Sequence, residues 1–303
     1  MKKLFQKGYV MGSKVKNRSI EQVTILFNRI VFLLSSQPLV RTTDESLNLI
    51  VQNKYSISRY GDGEFNLMNG KSLRFQPYSQ DLSSRLKEII KSNQENHEVF
   101  IPNIFNNVDW CTDRSRNYWI KYLNLNRYKI YKLLQMDKVY YDALVTRLYI
   151  DYKDKSQAEF RFKTFKKLWD KKEVIIVEGE QSRLGIGNNL FDNTKSIERI
   201  LCPATDAFAK YDQILEEVKK HDNSKLVLLA LGPTATVLAY DLAKIGYHAV
   251  DIGHIDVEYE WFLNKALEKE ALKNKYVSEV PEGTDVQVVK DKKYESEIIT
   301  RIS

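Results

Sequence analysis

Four short stretches of the chain gather residues able to do chemistry. The first is Ser58-Arg59-Tyr60-Gly61-Asp62-Gly63-Glu64-Phe65, where two carboxylates sit one residue apart beside two glycines and an upstream arginine. Glycine lets the backbone turn so that both acids face one point. Two such oxygens suit Mg²⁺ or Mn²⁺, which keeps several waters and takes other ligands from substrate phosphates. Arg59 would add a bidentate contact to a diphosphate. The plainer reading is a turn, because Asp-Gly is a common turn pair and Glu64 would then be exposed. The second stretch, "VEGEQSRLGIGNNLF", holds Glu178, Glu180, Ser182, Arg183 and Asn188. Its amides, hydroxyls and glycines suit a ribose, a base or a sugar. A surface pairing of Arg183 with Glu180 is the ordinary alternative. In the third, "LGPTAT", Gly232 permits a tight exit and Pro233 suits a first helical turn. Thr234 and Thr236 then offer hydroxyls beside free N–H groups, as a phosphate would require. A capped turn is the alternative. The fourth, "DIGHIDVEYEW", brings His254, Asp256, Glu258 and Glu260 together after Asp251. An imidazole or carboxylate here would deprotonate an acceptor hydroxyl or complete a metal site. Asp251 and Asp256 could equally be helix caps.

The flanking pattern says what positions these clusters. "YSISRY", "EVFIPNIF", "EVIIVEGE", "SIERILCPA", "KLVLLALG" and "YHAVDIG" read as strands. Between several of them lie helical stretches: "QDLSSRLKEIIKS", capped by Ser79, with Leu82, Leu86, Ile89 and Ile90 on one face; "YDQILEEVKKH"; and "PTATVLAYDLAKIG", ended by Gly246. A helix capped at Thr43 or Asp44 is expected after Pro38. Another over "SQAEFRFKTFKKLWDKKE" should turn Phe160, Phe165 and Leu168 inward. Strands alternating with helices predict an α/β, Rossmann-like, mostly parallel sheet with helices on both faces. Ligands of such sheets gather at the carboxyl ends of strands, and all four clusters follow a predicted strand.

The chain has 303 residues, 43% hydrophobic and 29% charged, with a net charge of +7. That describes a globular protein with an ample core and favours an anionic partner without choosing one. Two cysteines far apart, Cys111 and Cys202, argue against a disulfide framework or a zinc site and for a reducing cytoplasm. The first eighteen residues carry Lys2, Lys3, Lys7, Lys14, Lys16 and Arg18 and no acid, and "VTILFNRIVFLL" follows. Asn28 and Arg29 break this apolar run, which is too short to cross a bilayer; spanning takes about 20 residues. Residues 1–40 are therefore read as a basic, amphipathic extension that packs on a domain covering 41–303, with a peripheral membrane contact as the alternative. The basic residues are spread out and no nucleic-acid-binding signature occurs, so no nucleic acid partner is expected.

Taken in order, "SRYGDGEF", "VEGEQSRLGIGNNLF", "ILCPATDAF", "LALGPTATVLAYDLAKIGYHAVDIGHIDVEYEWF" and "NKYVSE" resemble a bacterial glycosyltransferase family with the architecture termed the GT-D fold. The resemblance implies a Rossmann-like fold, a UDP-sugar donor (UDP-glucose in members that glycosylate serine-rich repeat adhesins) and a divalent metal, Mn²⁺ or Mg²⁺, at the acid-x-acid motif. On that footing Asp62 and Glu64 are the metal-binding pair, and His254 and Glu260 fall in the second acidic segment. The expected activity is hexose transfer from a UDP-sugar to a glycan on a cell-surface glycoprotein or polysaccharide. Arg59, Gly61, Glu180, Ser182, Arg183, Asn188, Gly232, Pro233 and Thr234 would bind the donor, and His254, Asp256 or Glu260 would supply the base. Two rivals stand beside it. One is a non-catalytic subunit that binds nucleotide or glycan. The other is a nicotinamide-dependent oxidoreductase, which Asp251, 19 residues after Gly232, supports and the missing GxGxxG opposes.

Overall fold

The computed structural model describes residues 2–288 and 290–303, with side chains from residue 18 onward. The basic side chains of Lys2, Lys3, Lys7, Lys14 and Lys16 lie outside the described residues. The chain divides into two compact units: residues up to Leu39 with Ile104–Lys138, and Val40–Asn103 with Val139–Ser303. The division by contacts runs between Leu39 and Val40, and it places Ile104–Lys138 with the N-terminal segment.

In the smaller unit α1 (Lys2–Leu34) packs on α5 (Asp113–Tyr131). Asn28, buried on α1, accepts the Tyr128 N–H through its Oδ1 (2.8 Å). The Arg127 guanidinium lies 4.5 Å from the Phe32 ring centroid and donates to the Phe105 carbonyl. These contacts explain why Ile104–Lys138 groups with α1. Among the described residues no helix is long and apolar enough to cross a membrane.

In the described residues nine strands form one sheet in the order β1-β4-β3-β2-β8-β7-β5-β6-β9. They are β1 (Leu39–Val40), β2 (Ser56–Arg59), β3 (His97–Ile101), β4 (Val139–Asp142), β5 (Glu173–Gly179), β6 (Ser196–Cys202), β7 (Leu226–Ala230), β8 (His248–Asp251) and β9 (Ile298–Arg301). From β4 to β9 every pairing is parallel. The central strands bury both faces, which is why they read as unbroken apolar runs. Ile57, Ile176, Leu228 and Val250 face one layer, while Ile175, Val177, Val227 and Leu229 face the other.

The first layer holds α2 (Thr43–Gln52), α6 (Ala158–Lys166) and α9 (Ile255–Leu263). The second holds α7 (Tyr211–Val218) and α8 (Pro233–Lys244), with α4 (Gln80–Ile89) packed on α8 and α3 (Asp62–Met68) on α4. Ser79 caps α4 as expected, and Leu82, Leu86, Ile89 and Ile90 are buried. The α2 cap is Thr42, slightly upstream of the expected residue, in a capping box with Glu45. Phe160 is exposed, contrary to expectation. Because α6 starts at Ala158, its inward face runs through Ala158, Phe162 and Phe165 at helical spacing.

One consequence sets the site. The chain leaving β2 enters α3 and α4 on the α8 side of the sheet. The chain leaving its neighbour β8 enters α9 on the opposite side. The two exits diverge at the carboxyl edge between β2 and β8, the topological crevice at which open α/β sheets bind ligands.

Candidate active site

Arg59 ends β2, and its guanidinium stays within the fold. Nε donates to the Asp251 carbonyl (2.9 Å), Nη2 to Asp251 Oδ1 (3.0 Å), and Nη1 to Thr146 Oγ1 (2.7 Å) and the Ala143 carbonyl (3.1 Å). One side chain thus ties β2 to β8 and to the 3₁₀ turn Ala143–Thr146 that follows β4. Four of the five N–H groups of an arginine are spent this way, which leaves little of Arg59 for a ligand. The clamp also explains Gly253. Its φ is +43°, and a Cβ there would lie 1.8 Å from Arg59 Nη2. Asp251, with its carboxylate on Arg59 and the Gly253 N–H (3.1 Å), is committed to the same clamp rather than to a ribose.

The acid pair opens α3 instead of a plain turn. Gly61 is the N-cap, and its N–H donates to Glu64 Oε2 (2.6 Å). Burial pushes the Glu64 carboxyl up to about 7, and the nearby Asp251 and Asp62 carboxylates add to the rise against the Gly61 N–H. Asp62, in the first turn of the same helix, therefore shares the negative field of the crevice with Glu64 and Asp251. A cation relieves such repulsion. Among the described residues no group of three or more histidine, cysteine, aspartate or glutamate side chains is arranged to hold a metal ion. The pair therefore fits a divalent ion that draws most ligands from water and diphosphate, and does not fit an all-protein cage.

The fourth cluster divides. Asp256 and Glu260 both hold the buried ammonium of Lys275, which reaches Asp256 Oδ2 and lies 3.1 Å from Glu260 Oε1. Asn188 Nδ2 donates to both acids, at 2.8 and 2.7 Å, and the Gly185 N–H donates to Asp256 (2.9 Å). These contacts tie α9 to the loop after β5 and to Lys275, and they occupy Asp256, Glu260 and Asn188 with one another's neighbours within the fold. His254 stands apart from them, half-buried at the N-cap of α9. Its Nε2 lies 3.3 Å from Glu279 Oε1, and Glu279 is also bound by Arg147 and Lys269. Burial and the Arg147 charge hold the imidazole down at about 3, so it is neutral; Arg147 foremost among its cationic neighbours holds Glu279 well below the usual carboxylate range despite its burial. With Nε2 turned to an ionised carboxylate, Nδ1 is the acceptor nitrogen. Beneath them the fully buried Glu258 accepts the Tyr149 and Ile150 N–H groups (3.0 Å each).

The other two clusters also lie at the carboxyl edge, with mixed roles. Glu178 is buried on Arg199 (2.7 Å). Glu180 is exposed and Ser182 half-buried, both at the mouth of β5. Arg183 does not pair with Glu180; its Nη1 donates to the carbonyls of Asn274 (3.1 Å) and Gln287 (2.6 Å). At the start of α8, Gly232 is exposed, but Pro233 and Thr234 are buried and the Thr234 hydroxyl turns inward to Gln76 (3.5 Å). Gly232 has φ +55°, and a Cβ there would sit 2.8 Å from the Phe75 ring. The Thr234 hydroxyl, expected to meet a phosphate, is thus buried against Gln76 in this structure. Sequence reasoning passed over Arg147, Lys275 and Glu279. The last two lie in "NKYVSE", quoted for its resemblance without a role; Arg147 lies in a stretch with no readable signal.

Residues 57–280 match the family model described as glycosyltransferase GT-D fold. The chain is 37% identical over 264 residues to glycosyltransferase GlyD of Streptococcus pneumoniae serotype 4, covering 87% of this chain and 32% of that protein. It is 36% identical over 267 residues to the probable glycosyl transferase Gly of Streptococcus gordonii, covering 87% and 39%. The chain thus spans about a third of the length of these curated relatives. Among solved structures, a new glycosyltransferase from Streptococcus sanguinis superposes with a TM-score of 0.85 at 36% identity, over 88% of this chain and all of that one. A highly conserved domain of unknown function described as having a distinct glycosyltransferase fold gives the same score and identity over 93% of this chain. The matched span takes in the crevice, the acid pair and His254. The chain belongs to the family of glycosyltransferases with the GT-D fold.

Proposed function

We propose that this chain transfers a hexose, glucose foremost, from a UDP-sugar to a hydroxyl of a glycan acceptor in the crevice between β2 and β8. The observation that carries the reading is the placing of Asp62 and Glu64 beside Asp251 at the point where the β2 and β8 exits diverge. A concentration of carboxylates at a nucleotide-binding edge calls for a cation. Mn²⁺ or Mg²⁺ held by Asp62 and Glu64 would supply the positive charge that stabilises a departing diphosphate. Glu64 gives up its proton near neutrality, so cation binding there strengthens as pH rises through about 7. His254, kept neutral beside Glu279, would orient the acceptor hydroxyl by accepting its hydrogen bond. Glu180 and Ser182, at the mouth of β5, are available to the sugar or ribose.

Calorimetry of UDP with and without Mn²⁺, on the wild type and on Asp62→Asn/Glu64→Gln, tests the assignment. Metal-dependent binding that disappears in the double variant is expected. Equal UDP binding by both proteins would sink the role of the acid pair. Binding of UDP-glucose without turnover on any glycan offered would favour the non-catalytic subunit.

A further inference from the structure

The smaller unit has an apolar face that none of its described side chains covers. Along α1, Ile20, Val23, Leu26, Ile30, Leu33 and Leu34 are all exposed, up to 82% at Leu34 and 77% at Leu33. At 100° per residue these positions fall within an arc of roughly 140°. Asn28 lies outside that arc, on the side turned to α5, so packing against α5 leaves the stripe open. The same unit is strongly basic. Up to Leu39 and over Ile104–Lys138 the sequence has fourteen lysines and arginines and four acids, a net +10; the whole chain is +7, so the remainder is −3. Arg18 and Arg29 on α1, and Lys121, Lys129 and Lys132 in and just after α5, are exposed.

Two occupants compete for such a face. Ile20, Val23, Phe27, Ile30 and Leu34 have the spacing of a helix-pairing seam, but it runs for only about two heptads, against the three or four a coiled coil needs. A second copy would also set one +10 surface against another. An apolar stripe on a basic helix is what an anionic bilayer surface takes, with hydrocarbon contact and headgroup attraction acting together. No described helix is fit to span the bilayer, so α1 would lie in the interface. We infer that the unit formed by α1 and α5 docks this chain on a lipid surface bearing anionic headgroups, through the exposed stripe of α1.

Co-sedimentation of the full chain with vesicles of phosphatidylcholine, and of phosphatidylcholine mixed with phosphatidylglycerol, tests this. The substitutions Val23→Gln, Leu26→Gln and Leu33→Gln together take away half of the stripe; all three sites are exposed, and an unchanged melting curve verifies the fold. Binding to the anionic vesicles alone is expected, weakened by salt and by Lys129→Gln/Lys132→Gln, and reduced at least about tenfold in the triple variant. Three results would overturn the inference: no binding to anionic vesicles, binding unaffected by the triple variant, or a dimer in sedimentation equilibrium that the triple variant splits.

Discussion

Glu258 shows what a single buried carboxyl contributes. Its side chain is fully buried, one oxygen accepts two backbone N–H groups, and the other lies 3.8 Å from Arg147 without a hydrogen bond. Burial pushes it up to about 7, with Asp151 adding to the rise and Arg147 opposing it. The folded state therefore keeps a proton that the unfolded chain loses near its ordinary value, about 4.5. Between those two values the native protein holds more protons, so stability falls as pH rises and levels off above about 7. Glu258→Gln keeps an acceptor for both N–H groups and removes the titration. Urea unfolding across that window should show a slope shallower by about 1.4 kcal/mol per pH unit in the variant. Parallel curves for the two proteins would mean that Glu258 is ionised throughout. Residues of this kind are legible only in part. Glu258 and Glu260 look alike in "DVEYEW", yet one is packed against backbone amides and the other against Lys275, a partner supplied by a distant loop.

At the scale of the element, α3 joins a structural task to a chemical one. The sequence pointed to a pair of acids, with a turn or a metal site as the alternatives. Both readings missed that "GDGE" is a helix start in which Glu64 caps Gly61. The signal was weakened because glycine stands where a capping box normally has serine or threonine. Glutamine can replace glutamate in that cap and alanine cannot. Glu64→Gln should thus keep stability to within about 0.5 kcal/mol of the wild type, while Glu64→Ala loses about 1 kcal/mol. Both should lose metal-dependent UDP binding. Chemical denaturation beside calorimetry separates the two roles, and a Gln variant as unstable as the Ala variant would show that the carboxylate charge, more than its hydrogen bond, starts the helix. Strands were easier to read. β5, β7 and β8 are buried on both sides and need no partner beyond their own layer to announce themselves, whereas the β9 segment gave no such run and was not foreseen.

At the scale of the molecule, the least legible part is the connection from α9 to α10 (Lys292–Glu297), whose described residues form neither helix nor extended strand. A connection this long in a compact unit is uncommon unless it is tied down. Here long-range side chains tie it: Arg183 to the carbonyls of Asn274 and Gln287, Lys275 to Asp256 and Glu260, and Glu279 to Arg147. Such partners are distant in sequence and leave no periodic trace, so a single chain could not disclose them. They also tie this connection to the segments that position His254. The Tyr276 N–H bonds to the Gln181 carbonyl (2.9 Å) and the Gln287 N–H to the Lys273 carbonyl (3.0 Å), so two amides report on its closure. Arg183→Gln releases one tie and leaves the buried Lys275 in place. Its effect should be local opening: faster hydrogen exchange at Tyr276 and Gln287, unchanged exchange in β5 and β7, and a change of less than about 1 kcal/mol in global stability. If exchange in the sheet rises by the same factor, the connection unfolds only with the whole unit, and Arg183 then acts on the fold instead of holding a separately opening strap over the crevice residues.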